Sequence, residues 1–316
     1  MAGAIALVVG GLVLLTVGAD RFVLAAARLA RVWGLSPILI GALVVGMGTS
    51  APEFLVSVVA AAGGGLDLAV GNVIGSNVAN LSLVLGATAL VTPVAGHIKT
   101  LRREGLLMLA AVTLLAIVTW NQSLTVTEGV ILVVAMVAAA LVLVRWARLD
   151  TEGTGTVSAE LDDMTYDSGR PNPRFEIIVG IIALVATLGG AEMLVRGAQI
   201  IADRLDLSEG FIGLTLVALG TSLPELATAL AAARREENDL VIGNLLGSSI
   251  FNSLAVAGGA ALIGGGALVT GFGTGLVFML AVAAFAGILT ATGNKLVRWE
   301  GFALIAVYAA FVATSF

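Results

Sequence analysis

Two short stretches of this chain set a carboxylate in almost wholly apolar surroundings: GMGTSAPEF, Gly46 to Phe54, and LGTSLPEL, Leu219 to Leu226. In each, glycine loosens a helix, and Pro52 or Pro224 removes a backbone donor. Glu53 or Glu225 follows at once. A helix break leaves carbonyl oxygens without partners, and hydroxyls from Thr49, Ser50, Thr221 and Ser222 stand beside them. Carboxylates, carbonyls and hydroxyls together form a hard-oxygen donor set, which suits Ca²⁺ or Na⁺ and repels anions.

The same spacing has a plainer reading. Ser50-x-x-Glu53 and Ser222-x-x-Glu225 both fit a capping box, where the glutamate only satisfies a helix end. The solvent decides between the two. The chain has 316 residues, 59% of them hydrophobic and 12% charged, with a mean hydropathy of +1.06. Too few charges remain to clothe a water-soluble globule of this length. Helices of about 20 apolar residues satisfy their own backbone in lipid, so the composition predicts an all-α polytopic membrane protein. An ionisable group at mid-membrane costs at least about 2.5 kcal/mol, so a repeated buried glutamate points to ion ligation rather than capping.

The elements that must position these residues are ten apolar spans, near 2–31, 35–63, 67–95, 104–120, 125–146, 174–204, 208–234, 238–264, 268–291 and 296–316. The run from Ala2 to Ala19 lacks a positive n-region and reads as the first span, not a signal peptide. Residues 149–173 are acidic and rich in Gly, Ser and Pro, and read as a cytoplasmic linker. A regulatory calcium site could be built there on Asp162 and Asp163, and the linker reading is preferred. Thirteen of the sixteen Lys and Arg residues fall in or beside the odd-numbered loops. Placing those loops inside puts both termini outside a plasma or inner membrane. No cysteine is present, so no disulfide or thiolate metal site arises. No basic stripe invites nucleic acid, no cofactor motif occurs, and no obligatory protein partner is indicated beside the lipid bilayer.

The chain also matches itself at a shift of 172 residues without a gap, with 24 of 63 positions identical between 18 and 80. Gly48-Thr49-Ser50-x-Pro52-Glu53 meets Gly220-Thr221-Ser222-x-Pro224-Glu225. Gly71-Asn72-x-x-Gly75-Ser76-x-x-x-Asn80 meets Gly243-Asn244-x-x-Gly247-Ser248-x-x-x-Asn252, and Glu128-Gly129 meets Glu300-Gly301. Five spans per half is odd, so the second half enters the membrane upside down. The prediction is two inverted five-helix repeats, 1–148 and 174–316, with a midplane site between them. Ser76 and Asn80 share a helical face, as do Ser248 and Asn252. Close packing at Gly71, Gly75, Gly243 and Gly247 would bring those faces to the glutamates. Asp20 and Glu192 also repeat, and pairing with Arg21 or Arg196 is preferred to ion binding. His97, alone in a loop, carries no reading.

These twice-present motifs resemble the α-repeats of the cation/calcium exchanger superfamily, nearest to Na⁺/Ca²⁺ exchangers. The resemblance implies ten helices, with spans 2, 3, 7 and 8 forming a core and the long spans 1 and 6 sliding past it. It implies Ca²⁺ held by Glu53, Glu225 and the carbonyls of Thr49 and Thr221. Flanking Na⁺ sites would use Ser76 with the Gly46 carbonyl and Ser248 with the Ala218 carbonyl, with Ser50 and Ser222 nearby. Related exchangers often carry aspartate where this chain has Asn252. Two carboxylates balance one Ca²⁺, two Na⁺ or two H⁺. The Gly-Thr-Ser-x-Pro-Glu motif outweighs the single asparagine, so the resemblance implies Ca²⁺/Na⁺ antiport, with Ca²⁺/H⁺ antiport as the alternative. A cation channel needs no inverted repeat with mobile long helices. An intramembrane protease would need a catalytic group beside the two glutamates, and none accompanies them.

Overall fold

In the computed structural model the described residues are 2–95, 98–153, 172–204, 218–269, 271–293 and 295–314. The expected calcium ligands Asp162 and Asp163, His97 and the first half of the seventh span lie outside them. Nearly all of the rest is helix. The first half runs α1 (Ala2–Trp33), α2 (Pro37–Ile40), α3 (Met47–Thr49), α4 (Ala51–Ala62), α5 (Leu66–Ala79), α6 (Leu85–Val91), α7 (Ile98–Thr119) and α8 (Val126–Gly153). The second half runs α9 (Pro173–Arg204), α10 (Ala218–Thr221), α11 (Leu223–Arg234), α12 (Asn238–Phe251), α13 (Ala257–Gly264), α14 (Gly273–Gly293) and α15 (Arg298–Thr314). Among the described residues, five helical stretches are long and apolar enough to cross a membrane, or six if the bent pair α2–α3 plus α4 counts as one.

Lipid-facing and buried helices separate clearly. Only 28% of the apolar window is buried in α1, in α8 and in α9, whereas 78% is buried in Leu66–Val91 and 83% in Asn238–Gly264. The third and eighth apolar segments therefore form the centre, and the long first and sixth lie at the rim. Small residues make this possible. A Cβ on Gly190 would fall 2.4 Å from the Leu15 nitrogen, and one on Gly11 would fall 2.6 Å from the Leu194 nitrogen. Gly18 meets Thr187, and Gly197 meets Ala4 and Val8, so contacts descend α9 as they climb α1. The two helices pack antiparallel with their backbones nearly touching.

Contacts between the halves are reciprocal elsewhere too. Gly86 packs on Gly301 and Gly258 on Gly129, both crossings between residues 172 positions out of step with their counterparts. Two short ladders do the same: β1 (Val94–Ala95) pairs antiparallel with β4 (Lys295–Leu296), and β2 (Ser123–Leu124) with β3 (Gly266–Ala267). Glu128 and Glu300, which repeat in sequence, are helix-end residues. Glu128 Oε2 accepts from the Thr125 nitrogen at 2.6 Å and Thr125 Oγ1 at 2.9 Å, and Glu300 Oε2 accepts from the Val297 nitrogen at 2.8 Å. At Glu128 the capping box is complete, and at Glu300 its glutamate half is present. At Glu53 and Glu225 the box does not form.

Candidate cation-binding site

The first break is a π-helical turn at Gly41–Gly46, followed by a 45° bend between α2–α3 and α4. Gly46 leaves room for the other half: a Cβ there would sit 2.8 Å from the Ser248 nitrogen. Its carbonyl is not left open by the break, as the sequence led us to expect, but accepts the Ser50 nitrogen at 3.1 Å. The Thr49 hydroxyl lies 3.3 Å from the same oxygen, so a second donor from its own helix approaches it. Ser50 and Ser222 occupy the helix-start positions of α4 and α11, yet neither side chain caps its helix. Ser50 Oγ instead donates to Glu225 Oε1 across the halves at 2.8 Å.

Glu53 and Glu225 are both completely buried. The Thr221 and Ser222 hydroxyl groups face Glu53, and those of Ser50 and Thr49 face Glu225. Each carboxylate thus looks at the hydroxyls of the opposite half, and the two are close enough to repel one another. Among the described residues, neither Glu53 oxygen nor Glu225 Oε2 has a hydrogen-bond donor in good geometry.

Asn80 and Asn252 each open a π-helical turn, Asn80–Val84 and Asn252–Val256, and each is fully buried. Asn80 Nδ2 donates to Ser248 Oγ at 3.2 Å, while Ser248 donates to the Asn244 carbonyl at 2.8 Å. Among the described residues, Ser76 Oγ, Ser222 Oγ, Asn80 Oδ1 and both polar atoms of Asn252 have no partner. Counting the carboxylates, seven buried oxygens on these repeat-related helices are left without hydrogen bonds among the described residues. Buried oxygens are seldom left so, and a set of this kind has the chemistry to ligate a cation. Ala218 lies on α10, three residues before Thr221. Thr49 is buried, and its hydroxyl lies 3.0 Å from the Val45 carbonyl.

Sequence reasoning passed over Asn72 and Asn244, which bond to the glutamate-bearing helices, and Asn77, whose Nδ2 reaches Ser253 Oγ at 3.2 Å. The four-residue spacing of Asn72, Ser76 and Asn80 was the available signal. The reading of Asp20 needs correction. It pairs with neither Arg21 nor Arg196 but receives a two-pronged bond from Arg235, Nε to Oδ1 at 2.8 Å and Nη2 to Oδ2 at 2.7 Å. Its position on α1 faces the turn after α11, a contact between residues 215 apart that no local pattern reveals. Glu192 does pair with Arg196, one turn along.

Comparison with known proteins agrees with this architecture. The family model described as sodium/calcium exchanger protein matches residues 3–145 and 175–316. The inner membrane protein YrbG of Escherichia coli is 41% identical over 263 residues, covering 82% of this chain and 80% of that protein. The sodium/calcium exchanger MaX1 of Methanosarcina acetivorans is 32% identical over 339 residues, covering 97% and 96%. The structure of the sodium-calcium exchanger NCX_Mj soaked with 100 mM Na⁺ and 10 mM Sr²⁺ superposes with a TM-score of 0.85 at 31% identity, covering 99% of this chain and 98% of that one. The chain is a membrane protein of the sodium/calcium exchanger family, a family of transporters rather than enzymes.

Proposed function

We propose that this protein exchanges Ca²⁺ for Na⁺ by alternating access, with both ions competing for a cage built on Glu53 and Glu225. One observation carries the reading: two fully buried glutamates on repeat-related helices, each facing the other half's hydroxyls, with three of their four oxygens lacking donors in good geometry among the described residues. Two carboxylates neutralise one Ca²⁺ or two Na⁺, so occupancy by either balances the charge that hydrocarbon penalises. Thr49 and Thr221 would add carbonyl ligands. Ser76 with Gly46 and Ser248 with Ala218 would form flanking Na⁺ sites, and Asn80 and Asn252 would close the ring.

Ten spans in two inverted repeats, 1–148 and 174–316 around a linker at 149–173, fit this mechanism. The antiparallel packing of α1 on α9 and the reciprocal glycine crossings support that arrangement. Lysine and arginine placement supports an inner or plasma membrane with both termini outside. The glycine seam lets α1 and α9 move as one unit past the buried centre, exposing the cage to one side at a time.

The neutral Asn80 and Asn252 favour a second reading, Ca²⁺/H⁺ exchange, because the two glutamates also accept two protons. Uptake of ⁴⁵Ca²⁺ into proteoliposomes separates them. An outward Na⁺ gradient is expected to drive uptake, and an imposed pH gradient is not. Uptake that follows pH and ignores sodium assigns the proton, and current far above carrier turnover assigns a channel.

A further inference from the structure

The clefts, ion pairs and buried polar groups outside the cage lead to two asparagines. Asn72 on α5 and Asn244 on α12 are repeat mates that touch neither carboxylate. Each reaches the helix that carries one. Asn72 Nδ2 lies 3.0 Å from Ser57 Oγ and 3.3 Å from the Glu53 carbonyl. Asn244 Nδ2 lies 3.2 Å from Thr228 Oγ1 and 3.5 Å from the Glu225 carbonyl. The hydroxyl contacts are the closer in both halves, and the carbonyl contacts are long. Ser57 and Thr228 do not themselves repeat: Ser57 stands four residues after its glutamate and Thr228 three. The chain thus reaches one contact by two different hydroxyl placements, which a by-product of repeated sequence would not do.

We infer that Asn72 and Asn244 are positioning residues that set the distance between each glutamate and the Ser/Asn face opposite it. The chemistry selects the amide. One Nδ2 carries two N–H donors, so it can bond a carbonyl and a hydroxyl together, whereas serine has one donor and ionised aspartate none. The geometry gives the purpose. Asn72, Ser76 and Asn80 are four residues apart along one face that continues into the π-helical turn, as are Asn244, Ser248 and Asn252. Fixing the first member of each stripe to the glutamate helix fixes the other two relative to the carboxylate. Asn244 Oδ1 also lies 3.4 Å from Thr49 Oγ1, so this clamp touches both halves. A small error in ligand spacing weakens a site for a small cation steeply, because coordination is short-ranged.

The inference rests on the proposed Ca²⁺ cage, and titration of CaCl₂ into the purified full chain in detergent tests the two separately. The set is the parent, Asn72→Leu, Asn244→Leu, Ser57→Ala, Thr228→Val and the double variant Asn244→Leu/Thr228→Val, each with its Tm. Asn244→Leu and Thr228→Val are each expected to weaken Ca²⁺ about tenfold, with Tm within a few degrees of the parent. The double variant is expected to be no weaker than Asn244→Leu, because both changes remove one contact. Parental affinity in both asparagine variants overturns the inference, and so do strictly additive losses. A fall in Tm with unchanged affinity makes the residues structural only and also overturns it. Should the leucine variants not fold, parental affinity in both Ser57→Ala and Thr228→Val overturns it equally. A parent that binds no Ca²⁺ removes the cage and the inference with it.

Discussion

At the scale of single residues, this protein distinguishes two uses of one motif. Thr125-x-x-Glu128 closes a capping box, whereas Ser50-x-x-Glu53 does not, because Ser50 is drawn across to Glu225. Glutamine is a good capping partner but has no charge. Glu53→Gln and Glu225→Gln are therefore expected to fold and yet lose Ca²⁺ transport by about two orders of magnitude or more, the effect of removing one charge from a buried ion pair. ⁴⁵Ca²⁺ flux in proteoliposomes measures this, and near-parental flux would return both residues to a helix-end role. Glu237, outside the spans, offers a test in pH. Burial pushes its carboxyl above the usual value near 4.5, and the nearby Asp239 adds to this, against the opposing pull of Arg31. A raised folded pKa gives stability that is present below the unfolded value and lost as pH rises. Glu237→Gln is thus expected to raise Tm at neutral pH, with the gain shrinking as pH falls towards 4; a gain that stays constant with pH would refute it.

At the scale of elements, glycines decide which helices approach. A side chain at Gly190 would enter the Leu15 backbone, while Gly189 beside it meets nothing within 4 Å. Gly190→Leu is expected to lower Tm markedly and abolish flux, because the α1–α9 seam must part to admit it. Gly189→Leu keeps the same helix and gains the same side chain, and is expected to lie within about 0.5 kcal/mol of the parent, as surface changes do. Equal Tm in the two variants would show that the seam is not close-packed. The repeat also fixes turns: Gly64 and Glu236, 172 apart, both take positive φ, 82° and 61°. The second half holds a glutamate where the first uses the residue best suited to that conformation.

At the scale of the whole molecule, the two ends of the long α1–α9 pair differ. Asp20 is held by Arg235 and Arg31 by Glu237 at 2.9 Å, tying α1 to the turn between α11 and α12. The repeat-related turn in the first half is Gly63-Gly64-Gly65, without a charge, and Glu192 spends its bond within its own helix on Arg196. A symmetric exchanger would favour neither facing state, and ion pairs found at one end among the described residues favour the state in which that end is shut. Asp20→Asn is expected to shift the equilibrium about two- to fivefold, the yield of a partly exposed pair, and to make this shift smaller at high salt. Accessibility of a cysteine introduced beside the cage, labelled from each side, measures it. Equal labelling in parent and variant would show that the pair carries no bias.

The sequence by itself determined the solvent and the self-match at a shift of 172 residues, and it supplied the candidate cage residues that the proposed function uses. Composition excludes a charged surface, helix-length apolar runs set the spans, and buried carboxylates in lipid are too costly to stand twice without purpose. These are local or periodic properties, and a linear string carries them. Only the tertiary structure decided that Ser50 bonds Glu225 rather than caps its own helix, that Asp20 finds Arg235, and that Asn72 and Asn244 hold the glutamate helices. Each of these depends on which of several nearby donors wins a partner across the halves. That contest is settled by the distance of backbone approach, which the glycines of the opposing helix set.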